Sequence, residues 1–209
     1  MSDSVPDLEA LRQAIASGDP GRAMPALAGL REVGEEQAIP LLLLGLEQDT
    51  FIIRSLACAG LGVKRSEAGW AALEARLQRD DDANVRAEAA NALASYGVER
   101  SWPLLLRAFR ADSQWLVRCS ILSALAEQES MRPDWLLELG RLAIADADGT
   151  VRVGGAEVLG RLVADARREA ASGPACAEQA EAARAELRLL QQDNDHRVVA
   201  AALNGLQAC

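Results

Sequence analysis

Aromatic residues are scarce, with two Phe, four Trp and one Tyr among 209 positions, while Ala and Leu supply most of the half that is hydrophobic. Sheets draw on aromatic and β-branched residues, so this composition favours helices and argues against an all-β fold. Histidine is nearly absent. With His196 alone, zinc sites that need several imidazoles, Ser-His-Asp triads and Cys-His dyads elsewhere are excluded by inventory. The four cysteines, Cys58, Cys119, Cys176 and Cys209, contain no CxxC pair, so neither a zinc ribbon nor a disulfide framework is indicated and reduced thiols are expected. Positive charge is also in deficit: 22 Lys and Arg against 31 Asp and Glu leave a net charge of −9. Without a basic stripe, such a chain is repelled by nucleic-acid phosphates and anionic lipid. The longest nearly apolar run, Ala38 to Leu46, is too short to span a bilayer, and the opening Met1 to Asp7 has no signal-peptide character. A cytoplasmic protein with neither nucleic acid nor membrane as a partner is expected.

What the sequence does contain is repetition. The segment Asp80 to Leu93 (DDDANVRAEAANAL) returns in altered form as Gln48 to Leu61, Asp112 to Leu125, Asp146 to Leu159 and Asp193 to Leu206, with a fainter copy at Ser17 to Leu30. Its anchor arginines, Arg54, Arg86, Arg118 and Arg152, are 32, 32 and 34 residues apart, the length of one helix pair with its turns. The first copy carries Ala23 at the anchor position. In the sixth the position is Val199, 47 residues after Arg152, which implies about one helix-length of extra chain, with a loop at Ala170 to Pro174. Within a copy, Leu105, Leu106 and Phe109 mark a first helix, and Val117, Ile121, Leu122 and Leu125 a second, both at helical spacing. Asp82, Asp148 and Asp195 stand where they would cap second helices. Neither stripe can be buried alone, so stacked hairpins sharing one core are expected.

An Asp six positions before an Arg (Asp80 and Arg86, Asp112 and Arg118, Asp146 and Arg152), followed by small residues and a closing Leu, together with Pro40 in a first helix, resembles HEAT repeats, specifically the HEAT-like repeats of the phycobilisome lyase type. The tetratricopeptide pattern, of similar period, does not fit because the Val-Arg core lies on the second helix. The resemblance implies an all-α fold, an α-solenoid of about six HEAT-like hairpins in one domain, with repeats near 7–34, 35–66, 67–98, 99–129, 130–170 and 176–208. It also implies that Asp and Arg pair within or between neighbouring repeats, a ladder weakened at Gln48 and Val199.

Candidate chemistry reduces to structure at most positions. Asp146-Ala147-Asp148-Gly149 is not an EF-hand loop, because Val151 stands where that loop requires Gly. Asp80-Asp81-Asp82 reads as a solvated turn at a helix N-terminus. Gly60-Leu61-Gly62 lacks the third glycine of a dinucleotide fingerprint, Arg65 occupying its place. Gly154-Gly155 costs about 1 kcal/mol per glycine inside a helix, which close approach of a neighbour would offset. Cys58 falls on a core position. Trp70 and Trp102 recur in register at the start of first helices, with Trp135 one place off. No catalytic, cofactor-binding or metal-binding set emerges.

The expected function is therefore a non-enzymatic scaffold that docks another protein on the concave face lined by second helices. That face should carry residues one, two and five after the anchors: Ser55, Glu88, Asn91, Cys119, Ser120, Ser123, Glu157 and Asn204, a small, polar and acidic set. Phe51 and Trp115 occupy equivalent turn positions, where the other copies have Ala83, Gly149 and His196. The partner-binding residues expected are Phe51, Trp115, Glu88, Asn91, Ser123 and Glu157. Two alternatives follow from the resemblance: a subunit of a bilin lyase or chaperone acting on phycobiliproteins, and a HEAT-repeat partner of an iron-sulfur assembly protein.

Overall fold

The computed structural model describes residues 7–168 and 173–207. Among them, every regular element is helical. Twelve α-helices follow as hairpins: α1 (Leu8–Ala16) with α2 (Pro20–Gly29), α3 (Glu35–Leu46) with α4 (Phe51–Val63), α5 (Glu67–Arg79) with α6 (Ala83–Ala94), α7 (Val98–Ala111) with α8 (Trp115–Ala126), α9 (Pro133–Ile144) with α10 (Gly149–Arg168), and α11 (Gly173–Leu190) with α12 (His196–Gln207). The fold is the all-α solenoid type of about six HEAT-like hairpins. Contacts divide the chain into two compact units, Met1–Ser120 and Ile121–Cys209, whose boundary falls inside α8.

In the first unit, the second helices α2, α4 and α6 pack in sequence, as do the first helices α1, α3 and α5. The layers join over Ile15, Leu27, Leu42, Ile53, Leu61, Leu73 and Leu93, all buried. Helix α6 is rich in buried alanine, from Ala87 to Ala94, because it lies close to α4: a Cβ placed on Gly62 would be 3.0 Å from the Ala92 backbone. The expected second-helix stripe of Val117, Ile121, Leu122 and Leu125 is buried. Trp102 is buried as well, and Trp70 takes Arg100 over its ring at 4.0 Å and Tyr96 edge-on at 5.4 Å. Arg100 also donates to both Glu67 carboxylate oxygens, and the Tyr96 hydroxyl donates to the Leu61 carbonyl. These contacts make the in-register tryptophans packing residues.

In the second unit, α10 packs against α9, α11 and α12. The extra chain between the fifth and sixth copies is not a separate loop-linked helix. It lengthens α10 to 20 residues and α11 to 18. Gly173 and Pro174, expected in a loop, open α11, while Ala170 to Ser172 lie outside the described residues. Gly155 is needed for packing, since a Cβ there would meet the Ile144 backbone nitrogen at 2.8 Å. Gly160 and Gly205 form an equally close contact: a Cβ on Gly160 would sit 2.8 Å from the Gly205 Cα. Two glycines therefore set the α10–α12 spacing.

Candidate functional site

The charged turns come first, because they carry the densest polar chemistry. Each Asp-x-Asp turn divides two tasks between its carboxylates. The second Asp caps the following helix: Asp82 accepts from the Asn84 N–H at 2.8 Å, Asp148 from Thr150 at 2.7 Å and Asp195 from Arg197 at 2.9 Å, as expected. The first folds the turn, accepting from the N–H two residues on: Asp80 from Asp82, Asp112 from Gln114, Asp146 from Asp148 and Asp193 from Asp195.

That first Asp also accepts the anchor arginine of the preceding repeat. Arg54 grips Asp80 through Nε and Nη2, both at 2.9 Å. Arg86 grips Asp112 at 2.7 and 3.1 Å, and Arg152 grips Asp193 at 2.9 and 3.0 Å. The Asp six positions before each arginine contributes its carbonyl instead: Arg86 donates to Asp80 O, Arg118 to Asp112 O and Arg152 to Asp146 O. Carboxylate pairing therefore runs between repeats, 26 residues apart, and spans 41 residues where α10 and α11 are longer. Burial is the largest single influence and pushes the Asp80 and Asp112 carboxyls up, but the hydrogen bonds and charge of Arg54 and Arg86, added to the turn N–H bonds from Asp82 and Gln114, together hold both below the ordinary carboxylate value. The Arg152 hydrogen bond does the same for Asp193.

Arg54 uses all five of its N–H donors: two on Asp80, one on Asp81 and one each on the carbonyls of Gln48 and Asp49. It has nothing left to offer a ligand. The ladder is structure.

Open surface lies on the second helices. Phe51 and Trp115 are the first residues of α4 and α8 and stand 42% and 46% exposed. In the first unit Asn91 is exposed, while Ser55, Glu88, Cys119 and Ser120 are half-buried. In the second unit Ser123, Glu157 and Asn204 are exposed. Glu88 accepts a hydrogen bond from Asn91, and burial raises its pKa. The Ser55 hydroxyl oxygen is buried and has no hydrogen-bond partner.

One expectation about this surface needs correction. The α4 portion is mostly apolar: Leu56, Ala59 and the exposed Val63, with Leu27 and Leu30, line a cleft of about 100 Å³ to which Arg31 and Lys64 add the only charges. Reading only the polar members of each register position concealed it. Two larger depressions, of 570 and 720 Å³, are lined mainly by first helices: one by Pro40, Leu43, Ala72, Arg76 and neighbours, the other by Glu74, Leu104, Arg107 and neighbours. Arg76 in the first is already paired with Glu47 at 2.6 Å.

Cys58 is buried, and desolvation pushes its thiol up to about 12, which leaves it a protonated core residue. Cys176 is buried too, and Cys209 lies outside the described residues. Among the described residues, no group of three or more His, Cys, Asp or Glu side chains is placed to hold a metal ion. No described helix is long and apolar enough to cross a membrane.

Residues 43–126 match the family model for HEAT repeats. An engineered protein of known structure is 20% identical, covering 98% of both chains with a TM-score of 0.58. A computationally designed armadillo repeat protein for modular peptide recognition is also 20% identical, covering 97% of this chain and 99% of its own, with a TM-score of 0.53. These two likenesses concern the fold. Human deoxyhypusine hydroxylase in complex with glycerol is 16% identical at a TM-score of 0.49, over 97% of this chain and 95% of that one. No curated protein matches the sequence. The match is to HEAT repeats at large and does not single out the phycobilisome lyase type. Residues 43–126 are thus similar to HEAT repeats, and the likeness to the two solved structures is one of helical-repeat fold.

Proposed function

We propose that this chain is a non-enzymatic protein-binding scaffold, and that its partner docks on the open face of the second helices. In the first unit the contact residues are Phe51, Glu88, Asn91 and Trp115; in the second they are Ser123 and Glu157 at the corresponding register positions. The observation that carries this reading is the exposure of Phe51 and Trp115 at the starts of α4 and α8. A chain with so few aromatics leaves two of them nearly half exposed to water, at positions where other copies manage with Ala, Gly or His. Large aromatics on open surface are the residues that anchor interfaces.

The surroundings support a protein or peptide better than a small molecule. The cleft beside Leu56, at about 100 Å³, is too small for a drug-sized ligand, which needs about 300 Å³ or more, and the two larger depressions are lined mainly by first helices instead. Glu88, half-buried and accepting only from Asn91, is suited to a partner's Lys or Arg. The designed armadillo protein that shares this fold is described as recognising peptides. A bilin-lyase or iron-sulfur role has no observation of its own in this molecule.

The test compares capture by the wild-type chain, Phe51→Ala and Trp115→Ala, each also melted. Loss of the captured protein with melting unchanged supports the docking face. A Trp115→Ala chain that melts much lower yet retains the same partner would make Trp115 a packing residue and overturn the assignment.

A further inference from the structure

The first helices of the first unit carry the two larger depressions, one between α3 and α5 and the other between α5 and α7. The two share a wall, because Arg79 near the end of α5 lines both. Pro40, Leu43, Leu44 and Ala72 give the first an apolar floor, and Leu104 and Ala108 do the same for the second. Arg12 of α1 stands at the first and Arg107 of α7 at the second.

Most of the charges around these depressions are already engaged. Arg76 is paired with Glu47, Arg86 with Asp112 and Asp80 with Arg54. Arg12, Arg79 and Arg107 are different: all three are exposed, and among the described residues none of them makes an ion pair or donates a side-chain hydrogen bond. Once the pairs are cancelled, three cations face the single carboxylate of Glu74, which accepts from Gln78. The negative end of α5 accounts in part for Arg79 in its last turn, but Arg12 and Arg107 lie outside the last turns of α1 and α7. In the sequence the three arginines are 67 and 28 residues apart, so no basic run announces them. Stacking of the first helices brings them to one lane.

We propose that this lane binds an extended acidic segment of a partner protein, in which Asp or Glu residues alternate with aliphatic ones. Each carboxylate would meet a guanidinium that has all its donors free, the geometry that gives two-pronged bonds. The aliphatic side chains would settle on the apolar floors between the arginines. A nucleic-acid backbone brings dense charge and no apolar groups, and it would meet Glu47 and Glu74 as well as the general field of a chain with net charge −9. The lane belongs to the first helices, so it is a second surface beyond the docking face proposed on the second helices.

The experiment is fluorescence anisotropy of a labelled peptide of repeated Glu-Leu-Ser triplets titrated with the full chain. The expected result is saturable binding that weakens with added salt and is absent for the same peptide with Gln or Lys in place of Glu. Arg79→Glu, which touches both depressions, should weaken binding about tenfold or more, and Arg12→Glu and Arg107→Glu each about threefold or more. Melting should stay as in the wild type, because these side chains are exposed and unpaired. If Arg79→Glu melts lower, Arg12→Glu on α1 decides. Arg22→Glu, exposed on α2 and outside the lane, makes the same change in net charge and should leave binding as it is. Phe51→Ala and Trp115→Ala should leave it too, which separates this surface from the docking face. No saturable binding of the Glu peptide would overturn the proposal, as would equal binding of the Gln peptide. Equal weakening by Arg22→Glu would reduce the lane to the field of the whole chain, and an oligothymidylate that binds as tightly as the peptide would make it a phosphate surface; either result refutes the assignment.

Discussion

Replacing Asp112 with Ala removes one carboxylate and strands three donors. Arg86 loses its bonds at 2.7 and 3.1 Å, and the Gln114 N–H loses the acceptor that folds its turn. The guanidinium keeps only the carbonyls of Asp80 and Asp81. Deleting one partner of a buried pair costs about 3–5 kcal/mol. Here the side chains of Arg86 and Asp112 are 15% and 10% exposed, so residual solvation reduces the expected cost to about 2–3 kcal/mol. Asp81→Ala is the matched control. Its side chain is 94% exposed and gives Arg54 a single bond that Asp80 already backs up, so the cost should stay below about 1 kcal/mol. With a urea slope of about 2 kcal/mol per molar, Asp112→Ala should move the midpoint by about 1 M and Asp81→Ala by less than half of that. Asp112→Asn, which preserves the shape and the turn bond but not the charge, should fall between. Equal midpoints for Asp112→Ala and Asp81→Ala would refute the idea that pairing between repeats holds the turns.

Acid should unfold the ladder: Asp80, Asp112 and Asp193 titrate below 3.8 when folded. Their contribution is complete above that value and lost as pH falls through the lower folded values, so melting should be flat down to about pH 5 and drop steeply below about pH 4. A melting temperature that falls equally between neutrality and pH 5 would point elsewhere. Gly160→Ala, which drives a Cβ towards the Gly205 backbone, should cost about 1–3 kcal/mol. Gly29→Ala at the end of α2, with nothing within 4 Å, should be neutral or stabilising by up to about 1 kcal/mol. Cys58 should resist alkylation in the native chain at mildly alkaline pH and react once unfolded, because burial holds its thiol near 12; labelling at the wild-type folded state would contradict its core placement.

How far the sequence could be read depended on whether the determining contact repeats. The hairpins were legible because the same 14-residue pattern returns with apolar positions at helical spacing, and the caps at Asp82, Asp148 and Asp195 because capping is local. Which partner each arginine takes was not legible. Asp80 lies six residues before Arg86 and 26 after Arg54, and only the stacking of one turn on the next decides that its carboxylate serves Arg54 and its carbonyl serves Arg86. The Gly160–Gly205 crossing escaped for a similar reason, although a glycine beside the closing Leu in both copies was the available signal.

The division of polar groups also explains why charge density is a poor guide to function in this molecule. The turns hold the highest concentration of Asp and Arg, yet the bonds within and between them consume the donors: Arg54 has none free, and Arg86 and Arg152 each use four of five. A phosphate or carboxylate arriving at such a turn would have to displace a two-pronged carboxylate that is held by the backbone as well. The faces of the second helices are under no such demand. Phe51 and Trp115 carry no cap or ladder bond of the kind that fixes Asp80, so these positions can be specialised one repeat at a time. A scaffold built this way would keep its stability at the turns and leave recognition to residues that the repeat pattern does not constrain, which is why the proposed docking face is drawn around the two exposed aromatics and not the many arginines.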